Sequence, residues 1–182
     1  NTNFVCGTGP KLKMTLETTE GTADRARNRE IELAFTRWSK CVDLGGTTRL
    51  SYETAVGQGE NFIVATRNPL ILGKTGIPYD LTTLEGSMVD GLPVDGFDRH
   101  GAGGIEYDQY MNPVRYPIRD AHPQDTTMFS TANSVRRIPA DFVFHMYKKE
   151  RPGQLRGISQ VLPALPLFAL HRRMQLATVG VI

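Results

Sequence analysis

The chain has 182 residues, 40% of them hydrophobic and 22% charged, which is enough for one domain with a core, or for a piece of something larger, and too apolar for a disordered tail. Lysine and arginine number 21 against 19 aspartates and glutamates, a net charge of +2, which excludes a strong overall pull toward nucleic acid or membrane. The charge is nonetheless polarised: residues 1–135 hold 13 basic and 17 acidic side chains, net −4, whereas residues 136–182 hold 8 and 2, net +6.

Residues 1–22 are rich in Thr and Gly, and the alternation of Leu12, Met14 and Leu16 predicts a strand with one buried face. Over residues 23–42 the apolar positions Ile31, Ala34, Phe35, Trp38, Cys41 and Val42 keep the three-and-four spacing of an amphipathic helix, and Gly45-Gly46 stand where such a helix should stop. A shorter helix is predicted over residues 51–56, ending at Gly57 and Gly59. The pattern then turns to strands, beginning with residues 61–66. Of the 18 glycines, 12 lie between Gly45 and Gly104, a density that marks short strands joined by tight turns. Residues 105–108 and 114–118 alternate on either side of a turn and form a hairpin, with Pro117 marking an edge strand. Between Asp80 and Asp108 there are 7 acidic residues and one base, Arg99, and residues 86–104 read as an exposed loop. A last strand covers residues 142–147, and a helix starts near Ser159. The whole is an α+β domain in which the stripe Ile31, Phe35, Trp38 packs on a sheet made of residues 61–66, 105–118 and 142–147.

Residues 68–75 (Asn-Pro-Leu-Ile-Leu-Gly-Lys-Thr) differ from the phosphate-binding loop only in lacking its first glycine. A phosphate cradle needs small residues that turn successive N–H groups toward the anion and then a helix; here bulky Pro69 to Leu72 fill the loop and Gly76-Ile77-Pro78 follow, so no ATP site is expected at Lys74. His100-Gly101-Ala102-Gly103-Gly104 is similar to an oxyanion loop, but no G-x-S-x-G nucleophile accompanies it. The histidines His100, His122, His145 and His171 stand apart, without metal-ligand spacing; His145, in an apolar strand, reads as a hydrogen-bonded core residue. No catalytic, cofactor or metal site is expected. Cys6 and Cys41 read as reduced thiols in an intracellular or virion setting. The first residues lack a signal peptide's charged and apolar regions, and Pro163, Pro166 and His171-Arg172-Arg173 break the apolar residues 158–182, so no membrane span is expected. The unusual ends suggest a fragment of a longer protein.

The remaining signal is a basic loop punctuated by Pro and Gly, residues 148–157. Its dense mixture of fixed-φ Pro152, permissive Gly153 and Gly157, and arginine forks fits a loop held in one shape against a partner. Lys148, Lys149, Arg151 and Arg156 are the candidate subunit-interface residues, with Arg151 and Arg156 facing a neighbour or an adjoining helix and carboxylates among their partners.

The run from Arg137 through Pro139, Asp141, His145 and Tyr147, followed by Glu150-Arg-Pro-Gly-Gln154-Leu-Arg156-Gly157-Ile-Ser159, strongly resembles the phage lambda family of portal proteins. The hairpin with Tyr107-Asp108 and Asn112 to Tyr116, His122-Pro123, Gly59-Glu60 ahead of Phe62, and Val5-Cys-Gly7-Thr-Gly9 match the same family in the same order. The doubled proline, Pro163 and Pro166, departs from its pattern. The resemblance implies a non-enzymatic structural subunit of a dodecameric ring at one capsid vertex, which forms the channel for double-stranded DNA. It implies as partners the terminase large subunit, the major capsid protein and head-tail adaptor proteins, with assembly in the host cytoplasm and residence in the virion. Residues 1–158 would be mainly the wing region and 159–182 a helix leading toward the stem, the clip and crown lying elsewhere. Rival readings are another virion adaptor of tail or baseplate, and a hydrolase using His100 or His122 with nearby carboxylates.

Overall fold

A computed structural model describes residues 6–7, 9–17, 24–89, 101–120, 122 and 134–179. Helix α1 (Arg25–Cys41) starts where the Asp24 carboxylate accepts from the Arg27 N–H at 3.1 Å, an N-cap that satisfies one of the free donors of the first turn. The segment before it is not the strand with one buried face that its alternation predicts: Leu12 and Leu16 stay exposed, and the chain is tied to the helix instead. Met14 N–H donates to Glu32 at 2.9 Å, and buried Asn28 both accepts from Leu16 N–H at 2.8 Å and donates to the Leu16 carbonyl at 3.2 Å.

The first helix ends at Cys41, four residues before Gly45. Asp43 turns the chain in the left-handed region at φ 46°, and its side chain then caps α2 (Leu44–Gln58) by accepting from Gly46 N–H. A Cβ on Gly46 would lie 2.1 Å from Asp43 Oδ2. Gly46 therefore permits the close cap that opens α2, where the sequence pattern had the glycine pair closing α1. Gly57 lies inside α2, and Gly59, at φ 98°, ends it.

Two antiparallel sheets follow. The first has the order β2–β1–β7, with β1 (Glu60–Arg67) central between β2 (Tyr79–Glu85) and β7 (Val143–Tyr147). The second runs β3 (Gly101–Ala102), β4 (Ile105–Tyr107), β5 (Pro113–Arg119), β6 (Val135–Pro139). The predicted hairpin is β4–β5. It belongs to a different sheet from residues 61–66 and 142–147, so the single sheet expected from sequence is two sheets, with the core between them. That core is Phe62, Val64, Val89, Ile105, Tyr116, Ile118 and Val143. Phe62 meets Tyr116 edge-on, ring centroids 5.7 Å apart, a favoured aromatic geometry.

Strand β5 is interior to its sheet, not an edge, and Pro117 within it is buried. The strand tolerates a residue without an N–H because the β4 ladder reaches only Arg115, leaving Pro117 paired to Arg137 of β6 alone. The residues after β2 are also less exposed than expected: Gly86–Met88 form a 3-10 turn, and Met88 and Val89 are buried. Residues 90–100 lie outside the described residues, and so does His100.

The outer face of β1 and β2 is covered by α2. Consequently α1 packs mainly on α2 and on α3 (Pro69–Thr75), and reaches the sheet at Tyr79 of β2. Trp38 is half-buried there; its ring stands 5.5 Å from Phe35 and its indole N–H donates to the Tyr79 carbonyl at 2.7 Å. The phosphate-loop look-alike is α3 itself, capped by Asn68, with Pro69 at its first position and Lys74 exposed. Its backbone donors are folded into the helix. The last helix, α4 (Leu165–Val179), begins later than Ser159, after a 3-10 turn at Leu162–Ala164, so that both prolines sit in first turns, where a missing N–H costs little.

Candidate functional site

Glu60 is the first residue of β1, placed by the turn at Gly59. Because side chains alternate along a strand, it shares the core face with Phe62, and the register sets Glu60 opposite Tyr147 and Phe62 opposite His145. The His145 ring is stacked between Phe62, at 4.2 Å, and Tyr147, at 4.3 Å. Its Nε2 lies 3.0 Å from a Glu60 carboxylate oxygen, and both side chains are 7% exposed. His145 is thus the hydrogen-bonded core histidine that its strand predicts.

The third member is Arg156, which arrives 96 residues later in sequence. Its Nε donates to both Glu60 oxygens at 2.8 and 2.9 Å, and its Nη2 donates to Glu60 as well and to the Gly86 carbonyl at 3.0 Å. Nη1 donates to the Gly103 carbonyl. The guanidinium sits over the Phe62 ring, 5.6 Å from its centroid. Gly157 N–H adds a further bond to Glu60 at 2.9 Å. Burial pushes the Glu60 carboxyl up; the hydrogen bonds from His145, Arg156 and Gly157, with the Arg156 charge, together outweigh it and hold the group at about 2. The Glu60–Arg156 pair therefore ties β1, β7, the turn after β2, the turn before β4 and the 148–157 loop. The approach is close enough that a Cβ on Gly157 would lie 2.0 Å from the Gly59 carbonyl oxygen.

Gln154 shapes the loop. Buried to 5% exposure, it accepts from the N–H groups of Glu150 (2.8 Å) and Arg151 (3.3 Å) and donates to the carbonyls of Lys148 (3.4 Å) and Arg156 (2.8 Å). Tyr147 and Tyr107 hydroxyls donate to the carbonyls of Gln154 (3.1 Å) and Leu155 (3.4 Å). Of the four basic residues singled out from sequence, Lys148, Lys149 and Arg151 are exposed at the rim of this loop, while Arg156 is turned inward onto a carboxylate of its own chain. The sequence reading turned Arg156 toward a neighbour or an adjoining helix, with carboxylates among its partners; the carboxylate it meets is Glu60 of the same chain, whose signal was an acid opening an apolar strand.

His122 Nε2 lies 3.3 Å from Glu85 Oε2 and 3.3 Å from Ser87 Oγ. Both contacts fall on one ring nitrogen, so these three do not form a relay in which one nitrogen takes a proton while the other is oriented. Among the described residues no three His, Cys, Asp or Glu side chains are placed to hold a metal. No helix among the described residues is long and apolar enough to cross a membrane.

In this arrangement a buried group of charges holds separate elements in fixed relation. The family model for the phage portal protein, lambda family, matches residues 1–179, and the chain belongs to that family. A probable portal protein of Halomonas phage phiHAP-1 is 28% identical over 152 residues, an alignment covering 77% of this chain and 28% of that protein. The chain thus spans little more than a quarter of that relative's length.

Proposed function

We propose that the chain is part of a subunit of the ring-shaped portal vertex of a tailed phage. Residues 1–158 are the wing region and 159–182 lead toward the stem. The ring has twelve copies, passes double-stranded DNA during packaging and ejection, and docks the terminase large subunit, the major capsid protein and head-tail adaptors. The role is structural and not catalytic; the nucleotide chemistry of packaging belongs to the terminase.

The observation that carries this reading is α4. Every described residue of that helix is exposed, including Leu167 (69%), Phe168 (59%), Met174 (62%) and Leu176 (64%). Its apolar side chains fall on two opposite sides at 100° per residue: Leu167, Leu170, Met174 and Ala177 on one, and Leu165, Phe168, Leu176 and Val179 on the other, interrupted by Arg172. A helix with one apolar side needs one neighbour. A helix with two needs two, as every member of a closed ring has. The test is to locate the full-length protein in a virion reconstruction. Density at a single capsid vertex between head and tail is the expected result; density confined to tail or baseplate overturns it.

A further inference from the structure

The core face of the first sheet is closed by the second sheet, but its outer face is covered only in part. A helix about 10 Å across spans roughly two strands set about 4.8 Å apart, and α2 packs on β1 and β2. The register places Phe144 beside Ile63 and Met146 beside Asn61 on that outer face. There the two stay 56% and 39% exposed, with Phe142 (45%) just ahead of them. The strip along β7, beside α2, thus has room for a second helix. Asp141 stands exposed at one end of the strip, and Lys148 and Lys149 at the other. Among the described residues no hydrogen bond or ion pair engages the Asp141 carboxylate.

We infer that this strip seats α4 of a neighbouring copy, applied by the side that carries Leu165, Phe168, Leu176 and Val179. In its own chain α4 is exposed along its described length, so its own copy does not fill the strip. Arg172 interrupts that apolar side, and α4 contains no acid to pair with it. An arginine carried into an apolar contact needs a carboxylate there, because a charge taken out of water unpaired is costly. Asp141 supplies one. With Leu165 on Met146 and Phe168 on Phe144, the helical rise carries Arg172 about 6 Å beyond Phe168, to the level of Phe142 and within reach of Asp141. The helix then runs antiparallel to β7; the reverse direction would set Arg172 against Lys148 and Lys149, like charge against like. The inference rests on the ring proposed above, in which each copy offers one side to the opposite side of the next, and it names what two of those sides are. Leu167, Leu170 and Met174 stay for the other neighbour.

The test uses the full-length protein. In one arm its native cysteines are replaced by serine, Met146→Cys and Leu165→Cys are introduced, and assembled rings, scored by electron microscopy, are treated with a short bismaleimide. A ladder of covalent multimers on a denaturing gel is expected. Intact rings that give no ladder, or only an internally linked monomer, overturn the inference and leave the ring standing. In the other arm Asp141→Arg and Arg172→Asp should each lower the yield of rings at least tenfold, and the two in one chain should restore it. Full ring yield from either single variant, or a double variant that stays unassembled, overturns the inference even where the cysteine variant does not assemble. Absence of rings from the unsubstituted protein overturns both readings.

Discussion

At the scale of single residues, Glu60 is the group on which the others depend. Its folded carboxyl at about 2, against 4.5 when unperturbed, makes stability depend on acid. An acid whose pKa is depressed by folding contributes stability that is complete above its unfolded value and is lost as pH falls through the folded one. The window is therefore from pH 4.5 down to about 2, and the contribution is about 3 kcal/mol. Thermal unfolding followed across that window should show the loss; in Glu60→Gln the acid limb should flatten, and an unchanged limb would assign the acid sensitivity elsewhere. Arg156→Lys keeps the charge but loses the planar fork that reaches Glu60, Gly86 and Gly103 at once, and should cost about 2 kcal/mol in urea unfolding. A neutral result would show that a point charge suffices. None of this coupling was legible in the sequence, because nothing local joins residues 60 and 156; only the types were visible, an acid before an apolar strand and an arginine between glycines.

At the scale of elements, periodicity identified α1, the β4–β5 hairpin and β7, since each is recorded in residues a few positions apart. What periodicity could not give was the assignment of partners. The Ile31, Phe35, Trp38 stripe is a real apolar face, but α2 already occupies the sheet, and α2 itself was half-hidden because its first turn contains Gly45-Gly46 and its interior Gly57. This lowers the expected cost of Trp38→Ala from the 3–5 kcal/mol of a core aromatic to about 2 kcal/mol, since the side chain is half-buried. Trp38→Phe should lose about 1 kcal/mol, the indole hydrogen bond to Tyr79. Thermal melts of the two variants check the pair, and equal losses would show that the N–H and not the ring matters. For the basic loop, Gln154→Ala removes the four hydrogen bonds that close it. Amide exchange at residues 150–157 should quicken at least tenfold while the β1 amides stay protected; protection unchanged in the loop would mean that Glu60 and Arg156 alone hold its shape.

At the scale of the whole molecule, the interior and the surface have different completeness. Between the sheets the packing is closed around Phe62, Ile105 and Ile118, whereas α4 exposes apolar groups on two sides and β7 offers an unpaired edge. An isolated copy would keep that surface in water; neighbours on both sides would cover it. Family membership was legible in the run from Arg137 to Ser159, where the sequence packs Gln154, Arg156 and Gly157 into one brace, but the exposure of α4 was not, because an apolar helix reads alike whether it faces a core or another subunit. Replacing Leu170 and Met174 by aspartate should leave the thermal unfolding of the two-sheet core unchanged and impair assembly. The mass of the assembled full-length protein, measured by native mass spectrometry, bears most directly on the reading as a ring subunit: a single closed species of twelve subunits is predicted, and a monomer or an open-ended series of oligomers would contradict it.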